Sequence, residues 1–148
     1  DLPNISGQLI KRLAKEIQDI SKEIITVVVK AKPEEFEDSS VVKVAIAFSN
    51  VKDNQTDVGN ALYFSRACIP TGNATVWHHI GIYSWRRDTL ERFVKLKPSP
   101  LEKSEKLEQL RALESGINIH SIVTDEHPIG VDTQKDLKKA ENYFRDLT

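Results

Sequence analysis

The feature that most constrains this fold is the run from Ile24 to Ala31, which reads Ile-Ile-Thr-Val-Val-Val-Lys-Ala. It is short, rich in β-branched residues and nearly continuous in hydrophobicity. A strand with one wet face alternates apolar and polar residues, whereas a strand covered on both faces does not. The run therefore predicts a strand inside a sheet that carries other elements on both sides.

Strands and helices alternate along most of the chain. Val41 to Phe48 and Ala61 to Arg66 flank a polar stretch and predict a hairpin with a long connection. Two further strands are predicted at His79 to Trp85 and at Ile117 to Val123. The alternation predicts an α/β protein with a hairpin excursion in its middle.

The helices are predicted from apolar residues that recur three and four positions apart. The first runs from Pro3 to Ile20, and Pro33 opens a helical turn. A short helix after Trp85 is predicted to turn three apolar residues inward: Leu90, Phe93 and Val94. The next helix ends at Gly116, a residue that suits a C-terminal cap, and carries a stripe of Leu101, Leu107, Leu110 and Leu113. Thr133 opens the last helix, whose apolar face holds Leu137, Ala140, Phe144 and Leu147.

The composition fits one domain and excludes several functional classes. With 148 residues, 39% of them hydrophobic, the chain can bury a core. The net charge of −1 argues against a nucleic-acid binder and against attraction to anionic membranes. No apolar run is long enough to span a membrane, and the single cysteine, Cys68, leaves no internal disulfide and favours the reducing cytoplasm. Because the sequence contains no Met and starts at a helical pattern, we expect it to be part of a longer domain.

Asp132 is the first candidate for chemistry. It follows Ile129-Gly130-Val131 directly before the last predicted helix, a position at which open α/β sheets often bind ligands. Two carboxylates distant in sequence can converge on a Mg²⁺ ion that is completed by water and substrate phosphates. The alternative is that Asp132 only caps the helix, as Asp residues at such positions commonly do.

His79 and Tyr83 form the second candidate pair. Four residues apart in a strand, they share one face, whereas His78 points to the other face. The alternative is a histidine satisfied by a backbone carbonyl and a tyrosine packed at a sheet edge. Arg66, at the end of a predicted strand, can hold an anion with its planar guanidinium or form a surface salt bridge.

The predicted helix after Pro98 carries three glutamates: Glu102, Glu105 and Glu108. By themselves such residues indicate a solvated helix face with partners one turn away. The chain also lacks a Gly-x-x-x-x-Gly-Lys-Ser/Thr loop and a Gly-x-Gly-x-x-Gly motif, which excludes the two common glycine-rich phosphate cradles.

Several segments, taken in order, resemble one enzyme family. They are Ala61-Leu-Tyr-Phe-Ser-Arg-Ala67 with Ile69-Pro70, His79-Ile-Gly-Ile-Tyr83, Pro98-Ser-Pro-Leu-Glu102, Leu107-Glu-Gln-Leu-Arg111 and Gly130-Val-Asp-Thr133. Together they resemble the C-terminal portion of the 3-deoxy-D-manno-octulosonate (Kdo) cytidylyltransferases. Asp1-Leu2-Pro3 is similar to the end of that family's Gln-Gly-Asp-x-Pro motif. The resemblance covers the whole chain, 1–148, as the C-terminal portion of a single cytidylyltransferase domain.

The resemblance implies a fold and a reaction. The fold is the three-layer, Rossmann-like α/β fold of nucleotide-diphospho-sugar transferases, with a β-hairpin and helix excursion used for dimerisation and its N-terminal part missing from this chain. The reaction is transfer of CMP from CTP to the anomeric hydroxyl of Kdo, which gives CMP-Kdo and pyrophosphate for lipopolysaccharide biosynthesis. We expect a cytoplasmic homodimer that binds neither nucleic acid nor membrane.

The resemblance also implies roles for individual residues. Asp1 and Asp132 correspond to the family's catalytic Mg²⁺ ligands. Arg66 is expected to hold the Kdo carboxylate, and the sugar hydroxyls are assigned to His79, Tyr83, Glu102, Glu108 and Gln109. The family's loop for the CTP phosphates and its cytosine pocket have no counterpart in this chain, so the chain alone is predicted to be inactive. Two alternatives stay open: transfer to another acidic sugar, such as an acylneuraminate or amino-Kdo, and a truncated form that only binds ligand or dimerises.

Overall fold

The computed structural model describes residues 2–48, 57–131 and 134–146. The helices are α1 (Gly7–Glu16), α2 (Arg87–Phe93), α3 (Pro100–Glu105), α4 (Gln109–Glu114) and α5 (Gln134–Asp146), with a 3₁₀ turn at Pro33–Glu35. The strands are β1 (Ile24–Lys30), β2 (Lys43–Ala47), β3 (Val58–Ser65), β4 (Trp77–Trp85) and β5 (Ile119–Val123). The α/β class predicted from the sequence is confirmed.

β1 is the most deeply buried strand of the described sheet. Its first six residues are all buried, as the uninterrupted apolar run predicts. Alternate side chains enter two cores: Ile24 and Val28 pack on the side of α2 and α4, and Ile25, Val27 and Val29 pack on the side of α1. Leu9 and Leu13 supply the inward stripe of α1. Burial of these β-branched side chains contributes to the hydrophobic stabilisation of both cores.

The described strands close into one sheet in the order β1-β4-β2-β3-β5. β2 and β3 pair in antiparallel fashion, which confirms the predicted hairpin. β1 pairs antiparallel with β4 and parallel with β5, and β3 closes the sheet on β5. Part of the loop between β2 and β3 lies outside the described residues.

The first and last predicted helices differ from the observed ones in their limits. α1 begins only after Ser6, whose hydroxyl accepts a hydrogen bond from the backbone of Leu9 at 3.0 Å. This N-cap shortens the predicted helix from Pro3 to Ile20 at its start, and the observed helix also ends earlier, at Glu16. The described part of α5 begins at Gln134, and Thr133, the predicted opening residue, lies outside the described residues.

α2 corrects one sequence prediction. Its buried residues are Thr89 and Phe93, whereas Leu90 is 42% exposed and Val94 is 65% exposed. A helix of seven residues presents only one narrow stripe to the core, and positions four apart fill it. The prediction that Leu90 and Val94 face inward is therefore wrong, and only Phe93 does so.

The predicted leucine-striped helix is in fact two short helices. Lys106 separates α3 from α4 with a left-handed backbone (φ 56°), and Leu101 is 40% exposed. In a continuous helix Glu105 and Leu107 would point to nearly opposite sides. The break lets both contact the rest of the protein. The predicted glycine cap is confirmed, because Gly116 ends α4 with φ 73°.

A bulge in β4 brings His79 and Tyr83 together. The register passes from Thr26 opposite Tyr83 to Val27 opposite Ile80, so β4 contains two extra residues. In a regular strand residues four apart lie about 13 Å from each other. Here the ring centroids of His79 and Tyr83 are 5.4 Å apart. The prediction that they share a face is confirmed, and the bulge makes them neighbours.

His79 is a buried histidine held by a hydroxyl of β1. Its Nε2 lies 2.9 Å from Thr26 Oγ1, and the edge of its ring meets Phe64 at a centroid distance of 5.0 Å. Burial removes the water that would stabilise a charged imidazolium and lowers the pKa of His79 to about 3. His79 is therefore neutral in the folded protein at physiological pH.

This burial predicts a loss of stability in mild acid. The folded-state pKa of His79, about 3, lies below the unfolded value of 6.5, so its contribution is complete above pH 6.5 and is lost as the pH falls from there toward 3. The slope over that interval is about 1.4 kcal/mol per pH unit for one such group. Urea unfolding at several pH values should therefore show a smaller acid loss for His79→Gln than for the wild type.

His127→Gln provides the matched control, because it replaces an exposed histidine and leaves the buried His79 in place. NMR titration of the His79 ring in the wild-type protein supplies a second measurement that does not require a variant to fold. The ring should not protonate between about pH 7 and about pH 5. A normal titration in that range contradicts the assignment.

Candidate functional site

Arg66 is held at the end of β3 by backbone carbonyls. Its Nε donates to the carbonyl of Glu105 at 3.2 Å, and its Nη1 donates to the carbonyl of Ser39 at 2.9 Å. The fully buried Lys43 also fixes this segment, because its Nζ donates hydrogen bonds to the carbonyls of Asp38 (2.7 Å) and Arg66 (3.0 Å). Arg66 makes no salt bridge to a carboxylate within the described ranges, so its charge is available to a ligand.

Glu105 attaches α3 to the end of β3. Its carboxylate accepts hydrogen bonds from Tyr63 Oη (3.1 Å), Ser65 Oγ (3.0 Å) and the backbone N–H of Arg66 (3.2 Å). Desolvation, and then this carboxylate, raise the pKa of Tyr63. The expectation of a solvated helix face is wrong for Glu105. No local pattern identifies it, because its three donors lie 39 to 42 residues earlier in the chain.

Tyr83 continues a row of aromatic rings that starts at Phe64 and His79. Its ring lies 6.3 Å from Trp85, which in turn lies 4.9 Å from Phe93. Burial raises the pKa of Tyr83, and the charge of Glu108 raises it further. The phenol therefore stays protonated and can donate a hydrogen bond at neutral pH.

The segment 105–109, here called the α3–α4 corner, connects these groups. Glu105 binds the backbone of Arg66, and three residues later Glu108 lies close enough to Tyr83 to affect its pKa. Glu108 is exposed and Gln109 is half-buried. Three of the predicted sugar-binding residues are thus linked through this corner, Arg66, Tyr83 and Glu108, and Gln109 directly follows Glu108 in the chain.

Glu102, also predicted to bind the sugar, has its carboxylate occupied within the protein. Arg111 binds it with two hydrogen bonds, Nη2 to Oε1 at 2.5 Å and Nε to Oε2 at 2.8 Å. The hydrogen bonds from Arg111 lower the pKa of Glu102 below its ordinary value. The backbone N–H of Ser99 adds a third bond at 2.9 Å, as in a capping box. The arrangement fixes α3 against α4, and a sugar contact for Glu102 stays a prediction.

The two predicted metal ligands, Asp1 and Asp132, lie outside the described residues. Their neighbours come together: Pro3 and Val131 line the same cleft of about 670 Å³. The backbone N–H of Ile129 also donates to Asn4 Oδ1 at 2.7 Å. Within residues 2–48, 57–131 and 134–146, no group of three or more His, Cys, Asp or Glu residues is arranged to hold a metal ion.

His78 points away from His79, as the strand alternation predicts. Its Nδ1 lies 3.0 Å from Glu35 Oε1. Burial lowers the pKa of His78, against the opposing effect of the Glu35 charge.

The described helices are all too short or too polar to cross a membrane.

Comparison with known proteins gives consistent matches over the chain. A family model described as cytidylyltransferase matches residues 1–119. The 3-deoxy-manno-octulosonate cytidylyltransferase of Rickettsia massiliae is 40% identical over the whole chain. The enzyme of the same name from Brucella ovis is 46% identical over 97% of the chain. This chain spans 56% of the length of each of these two relatives.

A solved structure agrees with the sequence matches. CMP:2-keto-3-deoxy-manno-octonic acid synthetase in complex with CTP superposes with a TM-score of 0.87 and 31% sequence identity. The superposition covers all of this chain and 60% of that one. The sequence segments, the α/β fold and the family match lead to one conclusion: the chain belongs to the cytidylyltransferase family.

Proposed function

We propose that this chain is the sugar-binding and metal-binding portion of a Kdo cytidylyltransferase. The enzyme would transfer CMP from CTP to the anomeric hydroxyl of Kdo, with pyrophosphate as the second product, in cytoplasmic lipopolysaccharide biosynthesis. In the whole domain, the described strands would form part of a three-layer, Rossmann-like fold. The alternative of another acidic sugar is not favoured, because the two relatives compared above carry the octulosonate name.

The anchoring of Arg66 carries this proposal. A guanidinium has five N–H donors, and the described contacts of Arg66 use two of them, both to carbonyls. A salt bridge would have neutralised the side chain, whereas carbonyl bonds orient it and leave its charge unpaired. Such a fork suits a carboxylate with two parallel oxygens. An acidic sugar such as Kdo supplies that group.

The neighbouring polar groups suit the uncharged part of such a sugar. Tyr83 is a neutral donor, His79 is a neutral ring, and Glu108 and Gln109 add an acceptor and an amide at the α3–α4 corner. Hydroxyl groups both donate and accept, so this mixed set can bind several of them in one orientation. The result would be an anomeric hydroxyl held in a fixed position for attack on the α-phosphate of CTP.

Asp1 and Asp132 would hold the Mg²⁺ ion. Two carboxylates form the hard oxygen donor set that Mg²⁺ prefers, and the segments next to them share one cleft. The bound ion would offset charge on the phosphoryl oxygens and lower the pKa of the sugar hydroxyl. The basic groups for the CTP triphosphate would come from the remaining part of the protein, so the 148-residue chain alone is expected to be inactive.

A homodimer would form through the middle of the chain. Leu90 on α2 and Val94, the C-terminal cap of that helix, lie four residues apart and are 42% and 65% exposed, which leaves an outward apolar stripe. Leu101, in the next helix along the chain, α3, is 40% exposed. Exposed apolar side chains one helical turn apart, such as Leu90 and Val94, are typical of interfaces. The stripe supports the expected pairing of two copies through this region.

Arg66→Ala in the full-length gene product should raise the KM for Kdo about 10- to 100-fold. Loss of a charge-assisted bond to a carboxylate costs about 1.5 to 3 kcal/mol. The KM for CTP should change little. Arg87→Ala is the control, because Arg87 is exposed and, among the described residues, pairs with Glu91 one turn along α2, at 2.9 Å. Equal losses for both substrates would show that Arg66 is structural.

Asp132→Asn in the same protein should lower kcat about 100-fold or more, because the metal ligand acts on charge that develops in the transition state. Asn caps a helix about as well as Asp, so a purely structural Asp132 predicts near-normal turnover. Steady-state kinetics over a range of Mg²⁺ concentrations separates the two. An unchanged kcat with unchanged Mg²⁺ dependence contradicts the metal assignment.

Val94→Asp should convert the dimer to a monomer, because a charge would be buried at the centre of the apolar stripe. Sedimentation velocity at micromolar concentration measures the change. Ile20→Asp is the control, since Ile20 is also an exposed β-branched residue (84%) but lies just beyond α1. A monomeric wild-type protein, or a dimer that survives Val94→Asp, contradicts pairing through α2.

A further inference from the structure

We propose that Thr26 is a positioning residue that fixes the tautomer of His79, so that Nδ1 becomes the acceptor for a sugar hydroxyl. The inference rests on the proposed function for the identity of the ligand. The tautomer itself follows from the hydrogen bonds around Thr26 and is independent of that function.

The hydroxyl of Thr26 has one proton and three neighbours. Thr26 Oγ1 lies 2.8 Å from the carbonyl oxygen of Ile82, 3.3 Å from that of Ile80 and 2.9 Å from His79 Nε2. A carbonyl can only accept, so the 2.8 Å contact with the Ile82 oxygen is a hydrogen bond only when the hydroxyl donates its proton there. No proton is then left for the bond to His79. Nε2 must supply it, and the ring is the Nε2–H tautomer.

The bulge in β4 explains why this hydroxyl is needed. The register shift falls between Thr26 and Val27, directly opposite the two extra residues of β4, Gly81 and Ile82. Carbonyls displaced from a ladder in a buried sheet require another donor. Thr26 supplies it with its only proton. The same bulge that brings His79 beside Tyr83 thus also determines which His79 nitrogen is protonated.

Nδ1 is the nitrogen left for a ligand. A neutral imidazole has one donor and one acceptor, and the low pKa of His79 keeps the ring neutral. Among the described residues, none forms a hydrogen bond with Nδ1. The ring lies beside Tyr83, at a centroid distance of 5.4 Å, and is 8% exposed. An acceptor at this position binds O–H groups and disfavours carboxylate oxygens.

The two ends of an acidic sugar are therefore distinguished by charge. Arg66 presents unpaired donors and suits the carboxylate, whereas His79 presents an acceptor and suits a hydroxyl. A protonated ring or an Nδ1–H ring would present a donor at this position. It would therefore no longer disfavour a carboxylate bound beside His79. Thr26, which contacts His79 and no expected part of the substrate, controls this distinction from within β1.

Ser121 provides a matched control for a buried hydroxyl. It lies on β5 in register with Thr26, and its side chain is fully buried. Its Oγ has no hydrogen-bond partner within the described part of the chain. Ser121→Ala removes a hydroxyl beside Thr26 without removing a bond, so it should leave His79 unchanged.

The first test is ¹⁵N NMR of histidine-labelled protein at neutral pH, in the wild type and in three variants. The wild type, Thr26→Ser and Ser121→Ala should show the proton of His79 on Nε2. Thr26→Val should show Nδ1–H or a mixture, because the partner of Nε2–H is gone. A wild-type ring protonated on Nδ1, or a Thr26→Val ring that stays fully Nε2–H, overturns the assignment.

The second test is kinetic, in the full-length gene product. Thr26→Val should raise the KM for Kdo about tenfold, the effect of one lost hydrogen bond, with the KM for CTP unchanged. Thr26→Ser should restore it. Equal losses in Thr26→Val and Thr26→Ser, or in both KM values, overturn the positioning role. Absence of CMP-Kdo formation by the wild type overturns the proposed function instead, and the NMR result still decides the tautomer.

Discussion

Burial of β1 on both faces is the constraint on which the other parts of this structure depend. A strand in this position must satisfy all of its backbone groups by pairing, which it does with β4 on one side and β5 on the other. Its side chains then separate the two cores, one against α1 and one against α2 and α4. Thr26 is the polar exception within this run, and a buried hydroxyl needs partners. The partners that it finds are the carbonyls of the β4 bulge and the His79 ring.

The sequence was sufficient where local pattern decides the structure. The two-sided burial of β1, the β2–β3 hairpin and the cap at Gly116 each depend on residues close together in the chain, and each was predicted. The prediction that Leu90 and Val94 face inward was wrong, because apolar spacing alone cannot show which stripe of a two-turn helix meets the core. A stripe that faces outward has the same sequence pattern as a stripe that faces inward.

For the candidate site, the sequence identified polar residues that could bind a ligand but not the residues that hold them in place. Arg66, His79 and Tyr83 were identified from the resemblance, and the structure connects them through the α3–α4 corner. Thr26 and Glu105, which hold them in place, were missed, because their partners are 39 to 56 residues away. For Thr26 a signal exists in the sequence: it is the one polar residue within Ile-Ile-Thr-Val-Val-Val.

Arg111 and Arg66 are held in the protein in two different ways. Arg111 binds both carboxylate oxygens of Glu102, which compensates its charge and joins α3 to α4. Arg66 is bound by carbonyls, and both the ammonium of the buried Lys43 and the carboxylate of Glu105 are bonded to its backbone. Carbonyl oxygens orient a guanidinium without pairing with its charge, and the remaining N–H donors keep their hydrogen-bonding capacity. Under the proposed function, these are the donors that would bind the carboxylate of the sugar.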